Sequence, residues 1–96
     1  MYLKENIKLL RKRKKRSQEE VSASLGITRS AYNSYENGVA EPGINILLKL
    51  SDFYQVNIDK LIRIDLSTIA ESQLTQLEKG FDLDVSGTRL LPNVIL

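Results

Sequence analysis

Apolar residues recur every three or four positions along the first two thirds of the chain, which is the spacing of one face of an α-helix. The first segment, 3–14, places Leu3, Ile7 and Leu10 on a single stripe. In the segment 44–54, the inward stripe consists of Leu47, Leu50 and Tyr54. In the segment 58–62, it consists of Ile58, Leu61 and Ile62. The pattern predicts an all-α unit that is complete at about residue 64.

Residues 17–38, between these segments, predict two short helices joined by a tight turn. Ser17 and Glu20 have the spacing of a capping box, which starts the second helix, and Gly26 ends it. Thr28 is a good N-cap for a third helix over 29–36. A helix-turn-helix needs a small residue at the helix crossing, a glycine and an apolar residue in the turn, and an apolar pair in its second helix. The chain supplies these as Ser22, Gly26, Ile27, Tyr32 and Tyr35.

The last third of the chain, 65–96, has a different pattern. A loose apolar stripe from Leu66 to Leu77 predicts a helix, and alternating apolar and polar residues over 81–86 predict a short strand. Ser86-Gly87 then predicts a turn, and the chain ends on a very apolar stretch. Because large exposed apolar patches are uncommon on soluble monomers, we expect this extension either to dimerise or to link to a further domain.

Composition excludes several classes of function. The chain has no cysteine and no histidine, which removes the thiol nucleophile, the commonest general base and the commonest metal ligands. Asp82 and Asp84 lack a partner that would polarise them, and no serine has an activating base. We therefore expect no enzyme, catalytic residue, metal or cofactor. Without a membrane-length apolar run or a signal-peptide core, the expected location is the cytoplasm.

Charge is distributed unevenly along a chain whose net charge is only +2. Residues 1–30 contain nine Lys or Arg against three Glu, whereas residues 31–96 contain five against nine acidic residues. Six of the basic residues form the uninterrupted run 11–16, directly before the predicted helix-turn-helix. A localised basic region of this kind favours a polyanion-binding face that contacts phosphates.

Residues 1–64 resemble the Cro/lambda-repressor-type helix-turn-helix family, also called the xenobiotic-response-element family. The stretches that carry the resemblance are Ser17-Gln18-Glu19-Glu20, Leu25-Gly26-Ile27-Thr28-Arg29-Ser30, Tyr35-Glu36-Asn37-Gly38, Glu41-Pro42 and Leu50-Ser51-Asp52. The resemblance implies a five-helix DNA-binding domain over 1–64, with the helix-turn-helix at helices 2 and 3. The extension over 65–96 lies outside it.

The resemblance also implies roles for individual residues. Those expected to contact bases in the major groove of double-stranded DNA are Arg29, Ser30, Asn33 and Ser34. Those expected to contact phosphates are Lys12, Lys15, Arg16, Ser17, Gln18, Thr28 and Asn37. In the family, a glutamate at the end of the third helix pairs with an arginine of the first helix, so Glu36 and Arg11 are expected to form a structural ion pair.

Two positions depart from the family pattern, which has glycine and then an apolar residue before Ser17. Lys15 and Arg16 occupy those places. Lys15 is therefore expected to adopt a left-handed backbone, and Arg16 to pack its stem while its head reaches solvent. We interpret the change as phosphate affinity gained at some cost in stability.

The expected function is sequence-specific DNA binding in transcriptional regulation, most simply repression by a homodimer on a near-palindromic operator, in a bacterium or phage. The alternative is an antitoxin whose extension binds a toxin protein while its helix-turn-helix autoregulates. A third possibility is an adaptor of this fold that has lost DNA binding, against which the basic run, Gln18 and Arg29 argue. No membrane partner is expected.

Overall fold

The computed structural model describes residues 1–69, 73–74, 82–83 and 89–90. Over residues 1–69 it has five α-helices followed by one short 3-10 helix. Their bounds are α1 Leu3–Arg13, α2 Gln18–Leu25, α3 Arg29–Glu36, α4 Ile44–Tyr54, α5 Ile58–Arg63 and the 3-10 helix Leu66–Thr68. The predicted five-helix, all-α unit with a helix-turn-helix at α2 and α3 is confirmed.

Local capping explains where α2, α3 and α5 begin and where α2 ends. The Ser17 side chain accepts a hydrogen bond from the Glu20 N–H, and the Glu20 carboxylate accepts one from the Ser17 N–H, which confirms the capping box. Gly26 follows α2 with φ 72°, in the left-handed region that favours glycine. Thr28 and Asn57 cap α3 and α5 by accepting a backbone N–H with their side chains.

A single hydrophobic core joins the helices, and it contains the predicted stripe of α1. Its fully buried members include Leu3, Ile7, Leu10, Val21, Leu25, Tyr32, Leu50, Tyr54, Val56 and Leu61. Of the residues predicted to face inward, Leu47, Ile58 and Ile62 are only half-buried, and so is Ile27 in the turn. A domain of this size has a thin core, so residues at the edge of each apolar stripe stay partly in water.

Two tyrosines connect α3 to α4 inside this core. The Tyr32 and Tyr54 hydroxyls lie 2.6 Å apart, and neither side chain is accessible to solvent. Burial raises the pKa of Tyr32 and raises that of Tyr54 to about 12, so both hydroxyls stay protonated at neutral pH. The inner face of α3 is therefore held against α4 by two buried rings whose hydroxyls are hydrogen-bonded to each other.

Asn6 is a buried polar residue whose role no sequence pattern predicted. It lies on α1, 1% exposed, and its Nδ2 donates to the carbonyls of Leu61 at 2.7 Å and Ile64 at 2.6 Å. Its Oδ1 accepts the backbone N–H of Leu66 at 3.0 Å. The Asn6 amide thus pairs two carbonyls at the end of α5 and one N–H at the start of the 3-10 helix. These hydrogen bonds hold both elements against α1.

The packed core continues past residue 64 into the predicted extension. Leu66 is fully buried and Leu74, in a helical position, is 3% exposed. Asp82–Leu83 and Arg89–Leu90 form two short antiparallel strands, β1 and β2, and β1 lies within the strand predicted over 81–86. The predicted turn at 86–87, the apolar ending and most of the predicted tail helix lie outside the described residues. The division into 1–64 and 65–96 stays a prediction.

Candidate nucleic-acid interface

The outer face of α3 carries polar side chains that the core does not use. Arg29, Ser30 and Asn33 are exposed and line one open hollow on the surface. Tyr32 is buried on the opposite face of the same helix, and Tyr35 is half-buried there. The amphipathic pattern of α3 therefore fixes which of its residues a ligand can reach.

Ser34 is less available than the other three predicted base-contacting residues. It is half-buried, and its Oγ donates to the Ala31 carbonyl at 2.6 Å. Its own carbonyl accepts the N–H groups of Val39 and Ala40, which begin the loop after α3. The structure does not bring Ser34 into the hollow that Arg29, Ser30 and Asn33 line.

The Gln18 side chain lies between the start of α2 and the length of α3. Its Nε2 donates to Asn33 Oδ1 and to Glu36 Oε1, both at 3.0 Å. The amide is thus engaged with α3 through its nitrogen. The backbone of Gln18 is at the first position of α2, where N–H groups have no partner within the helix and can bind an anion.

Arg11 and Glu36 form an ion pair between α1 and the end of α3. Arg11 Nε lies 2.7 Å from Glu36 Oε2, and a second guanidinium nitrogen lies 3.2 Å from Oε1. The Glu36 side chain is 1% exposed and that of Arg11 is 14% exposed. The third guanidinium nitrogen donates to the Arg16 carbonyl at 2.9 Å, so Arg11 also holds the turn between α1 and α2.

Both members of this pair stay ionised in the fold. Burial raises the pKa of the Glu36 carboxyl, but hydrogen bonds from Arg11, Gln18 and Tyr32 outweigh it, so the pKa falls below its ordinary value. The hydrogen bond to Glu36 raises the pKa of Arg11. Glu36 is consequently a carboxylate that can only accept hydrogen bonds at neutral pH.

The depressed pKa of Glu36 predicts a loss of stability in acid. A lowered folded-state pKa gives stability that is present above the ordinary value of 4.5 and is lost as the pH falls through the folded-state value. Urea unfolding of the wild type and of Glu36→Gln between neutral pH and about pH 3 measures this. We expect the advantage of the wild type to shrink below pH 4.5. Other carboxyls, such as Glu20, are common to both proteins, so a constant difference would contradict the prediction.

The end of the basic run is held in a turn with unusual backbone. Lys15 has φ 55°, which confirms the predicted left-handed conformation. Its N–H donates to the Lys12 carbonyl at 3.0 Å, and the Arg16 N–H donates to the Arg11 carbonyl at 3.2 Å. Such a conformation costs a residue other than glycine roughly 1–2 kcal/mol. In this turn the side chain of Lys15 is exposed, three residues before the start of α2.

The remaining predicted phosphate contacts lie near the ends of helices. Arg16 is exposed and 3.5 Å from the Glu20 carboxylate, and Lys12 is exposed on α1. Ser17 and Thr28 accept backbone N–H groups with their oxygens, and each hydroxyl hydrogen can still be donated to a phosphate. Asn37 is exposed at the end of α3. These residues thus lie at the end of α1, before α2 and at both ends of α3.

Lys49 stabilises the turn between α2 and α3, and no sequence pattern predicted this contact. Its Nζ donates to the Leu25 carbonyl at the end of α2, 3.2 Å away. The two residues are 24 positions apart, so no local pattern connects them. A cation at a helix C-terminus compensates the unpaired carbonyls there.

Metal-ligand clusters and membrane-length helices are both absent from the described residues. Among them, no group of three His, Cys, Asp or Glu side chains is placed to hold a metal ion. None of the helices in the described ranges has the length and apolar character of a membrane-spanning segment.

Comparisons with known proteins agree with this geometry. The Helix-turn-helix family model matches residues 7–61. The chain is 42% identical over 59 residues to the uncharacterized HTH-type transcriptional regulator YqaE of Bacillus subtilis, covering 62% of this chain and 51% of that protein. It is 31% identical over 95 residues to the cryptic phage CTXphi transcriptional repressor RstR of Vibrio cholerae O1, covering 99% of this chain and 85% of the repressor.

A second Bacillus subtilis relative is the SPbeta prophage-derived uncharacterized HTH-type transcriptional regulator YonR, 42% identical over 59 residues. This match covers 62% of the chain and 55% of YonR, so the chain spans about half the length of either Bacillus relative. No solved structure matches the chain at a significant level.

Proposed function

Because this chain belongs to the helix-turn-helix family of the Cro/lambda-repressor type, we propose that it is a DNA-binding regulator of transcription rather than an enzyme, and that it represses its target genes. The observation that carries the proposal is the exposed polar face of α3, with Arg29, Ser30 and Asn33 around one hollow. A helix of this kind fits the major groove, where base edges offer distinct patterns of donors and acceptors.

In the proposed complex, α3 enters the major groove while the residues around it contact the DNA backbone. Arg29, Ser30 and Asn33 read bases, and Ser34 contributes once its hydroxyl leaves Ala31. The phosphate contacts come from the end of the basic run, the start of α2 and the ends of α3, that is, from Lys12, Lys15, Arg16, Ser17, Gln18, Thr28 and Asn37. These contacts fix the position of the helix, and the bases give the specificity.

Repression and dimerisation are finer parts of the proposal. The Vibrio cholerae relative is named a transcriptional repressor, and the chain covers most of its length. The exposed base-reading residues are few, so two copies on half-sites roughly 34 Å apart would give the discrimination that one copy lacks. We propose that the extension over 65–96 supplies the dimer contact, and that the protein works on DNA in the cytoplasm.

Replacement of Arg29 tests the base-reading role of α3. After selecting an operator from a random DNA pool, we expect Arg29→Ala to bind it roughly 5- to 150-fold more weakly, because an arginine paired with guanine contributes about 1–3 kcal/mol of discrimination. Fluorescence anisotropy at fixed salt measures the affinity. The matched control is Arg63→Ala on α5, whose side chain is 77% exposed and paired with Asp59. Selection that enriches no sequence, or an unchanged affinity of Arg29→Ala, would refute the proposal.

A further inference from the structure

Glu36 fixes the orientation of the Gln18 amide. Its carboxylate is almost fully buried, ionised, and able only to accept hydrogen bonds. Gln18 reaches Glu36 Oε1 at 3.0 Å. If the Gln18 amide were reversed, two oxygens would face each other without a hydrogen, so only the NH₂ group can lie on this side. The charge of Glu36 therefore decides which end of Gln18 points inward.

Gln18 in turn fixes the orientation of the Asn33 amide. The same NH₂ group donates its other hydrogen to Asn33 Oδ1, at 3.0 Å. A donor in this place requires an oxygen opposite, so the Asn33 NH₂ group is the end that stays free. Asn33 is exposed and lines the hollow with Arg29 and Ser30. Asn33 consequently presents its NH₂ group to the hollow, while its Oδ1 accepts the hydrogen bond from Gln18 on α2.

We propose that Asn33 reads its base as a hydrogen-bond donor and selects guanine, and that Glu36 and Gln18 are the positioning residues that impose this polarity. An asparagine free to use both ends of its amide pairs with adenine, accepting from N6 and donating to N7. Here the oxygen already has a partner, so the base that suits the NH₂ group is one with two acceptors and no donor. In the major groove that base is guanine, through O6 and N7. The inference rests on the DNA-binding function proposed above.

The same polarity assigns a different contact to Gln18. Both hydrogens of its amide nitrogen are engaged with Asn33 and Glu36. Its free side-chain atom is the oxygen, which cannot donate to a phosphate. The phosphate contact at the start of α2 then comes from backbone N–H groups of the helix N-terminus and from the hydroxyl of Ser17, rather than from the Gln18 side chain.

Changing the charge of Glu36 is expected to invert the preference. In Glu36→Gln the new amide keeps its oxygen at the Oε2 position, where Arg11 donates at 2.7 Å, and gives up the longer 3.2 Å hydrogen bond that Arg11 donates to Oε1. Its NH₂ group then faces Gln18, which has to reverse, and Asn33 reverses after it. The hollow would receive the Asn33 oxygen, and the preferred base would change from guanine to adenine or cytosine, which offer amino donors.

The experiment is selection of bound sequences from a random DNA pool, with the full chain as wild type, Asn33→Ala and Glu36→Gln. We expect one guanine position in the wild-type site to lose its preference in Asn33→Ala and to become adenine or cytosine in Glu36→Gln. Changing that guanine to adenine in the operator should weaken wild-type binding at least about fivefold. Asn45→Ala, an exposed asparagine on α4, is the matched control and should keep the wild-type site.

Gln18→Met keeps the test decisive if Glu36→Gln does not fold. Gln18 is half-buried at the start of α2, and methionine preserves its length without a donor. Asn33 would then be free to rotate, and the position should accept adenine as well as guanine. A loss of stability alone would not change the preferred base.

The outcomes separate this inference from the proposed function. If no protein enriches any sequence, DNA reading itself is refuted. If the wild type selects a site whose Asn33-dependent base is not guanine, or whose bases are all unchanged in Asn33→Ala, the DNA-binding function stands and the selection of guanine by the Asn33 donor is wrong. An unchanged guanine preference in both Glu36→Gln and Gln18→Met would overturn the positioning roles of those residues.

Discussion

Replacing Arg11 with alanine is expected to lower the free energy of unfolding by about 3–5 kcal/mol, because it leaves the buried Glu36 carboxylate without its cation. The Glu36 side chain is 1% exposed, so water cannot replace the two hydrogen bonds that Arg11 donates. The Arg16 carbonyl in the turn before α2 loses its guanidinium donor in the same variant. Urea unfolding followed by circular dichroism measures the change.

Lys12→Ala is the matched control, since Lys12 is the next residue on α1 and is exposed. Substitutions at such surface positions usually change stability by less than about 0.5 kcal/mol. If Arg11→Ala is no more destabilised than Lys12→Ala, the structural role of the pair is wrong. A double variant, Arg11→Met with Glu36→Leu, should recover much of the stability because a packed apolar pair can replace a buried ion pair.

Asn6→Ala is expected to destabilise the domain by at least roughly 3 kcal/mol. It removes the partners of three backbone groups, the carbonyls of Leu61 and Ile64 and the N–H of Leu66. Each buried polar group left without a partner costs about 1–3 kcal/mol, so the loss of three partners sets the lower bound of roughly 3 kcal/mol. Thermal and urea unfolding would both report the loss.

Asn45→Ala on α4 serves as the control, because Asn45 is exposed and alanine favours a helix. Asn6→Asp gives a sharper comparison, since aspartate can still accept the Leu66 N–H but places a carboxylate against two carbonyls. We expect Asn6→Asp to be at least as unstable as Asn6→Ala at neutral pH. Equal stability of Asn6→Ala and Asn45→Ala would show that the buried amide contributes nothing.

The helices and their limits were predictable because their determinants are local. The capping box at Ser17 and the left-handed glycine at Gly26 each act within a few residues of the chain. Patterns of this kind depend only on neighbouring residues, so the sequence contains the information completely. The left-handed backbone of Lys15, in contrast, was predicted from the glycine that the family has at this position.

The connections between helices were predictable only where a family pattern supplied them. The resemblance named Arg11 and Glu36 as partners, and they lie 2.7 Å apart. Nothing comparable pointed to Asn6, whose partners are 55 to 60 positions away. A polar residue inside an apolar stripe looks the same in the sequence whether it is satisfied by distant backbone or exposed at the edge of the stripe.

The sequence by itself determined the five helices, the helix-turn-helix and the residue types on the outer face of α3. Only the tertiary structure decided how those residues are presented. It separates Ser34 from the hollow and holds the Gln18 and Asn33 amides in one orientation. The physical reason is that an amide's polarity depends on its partners. The partner that fixes both amides is a carboxylate whose charge is kept by an arginine from a different helix.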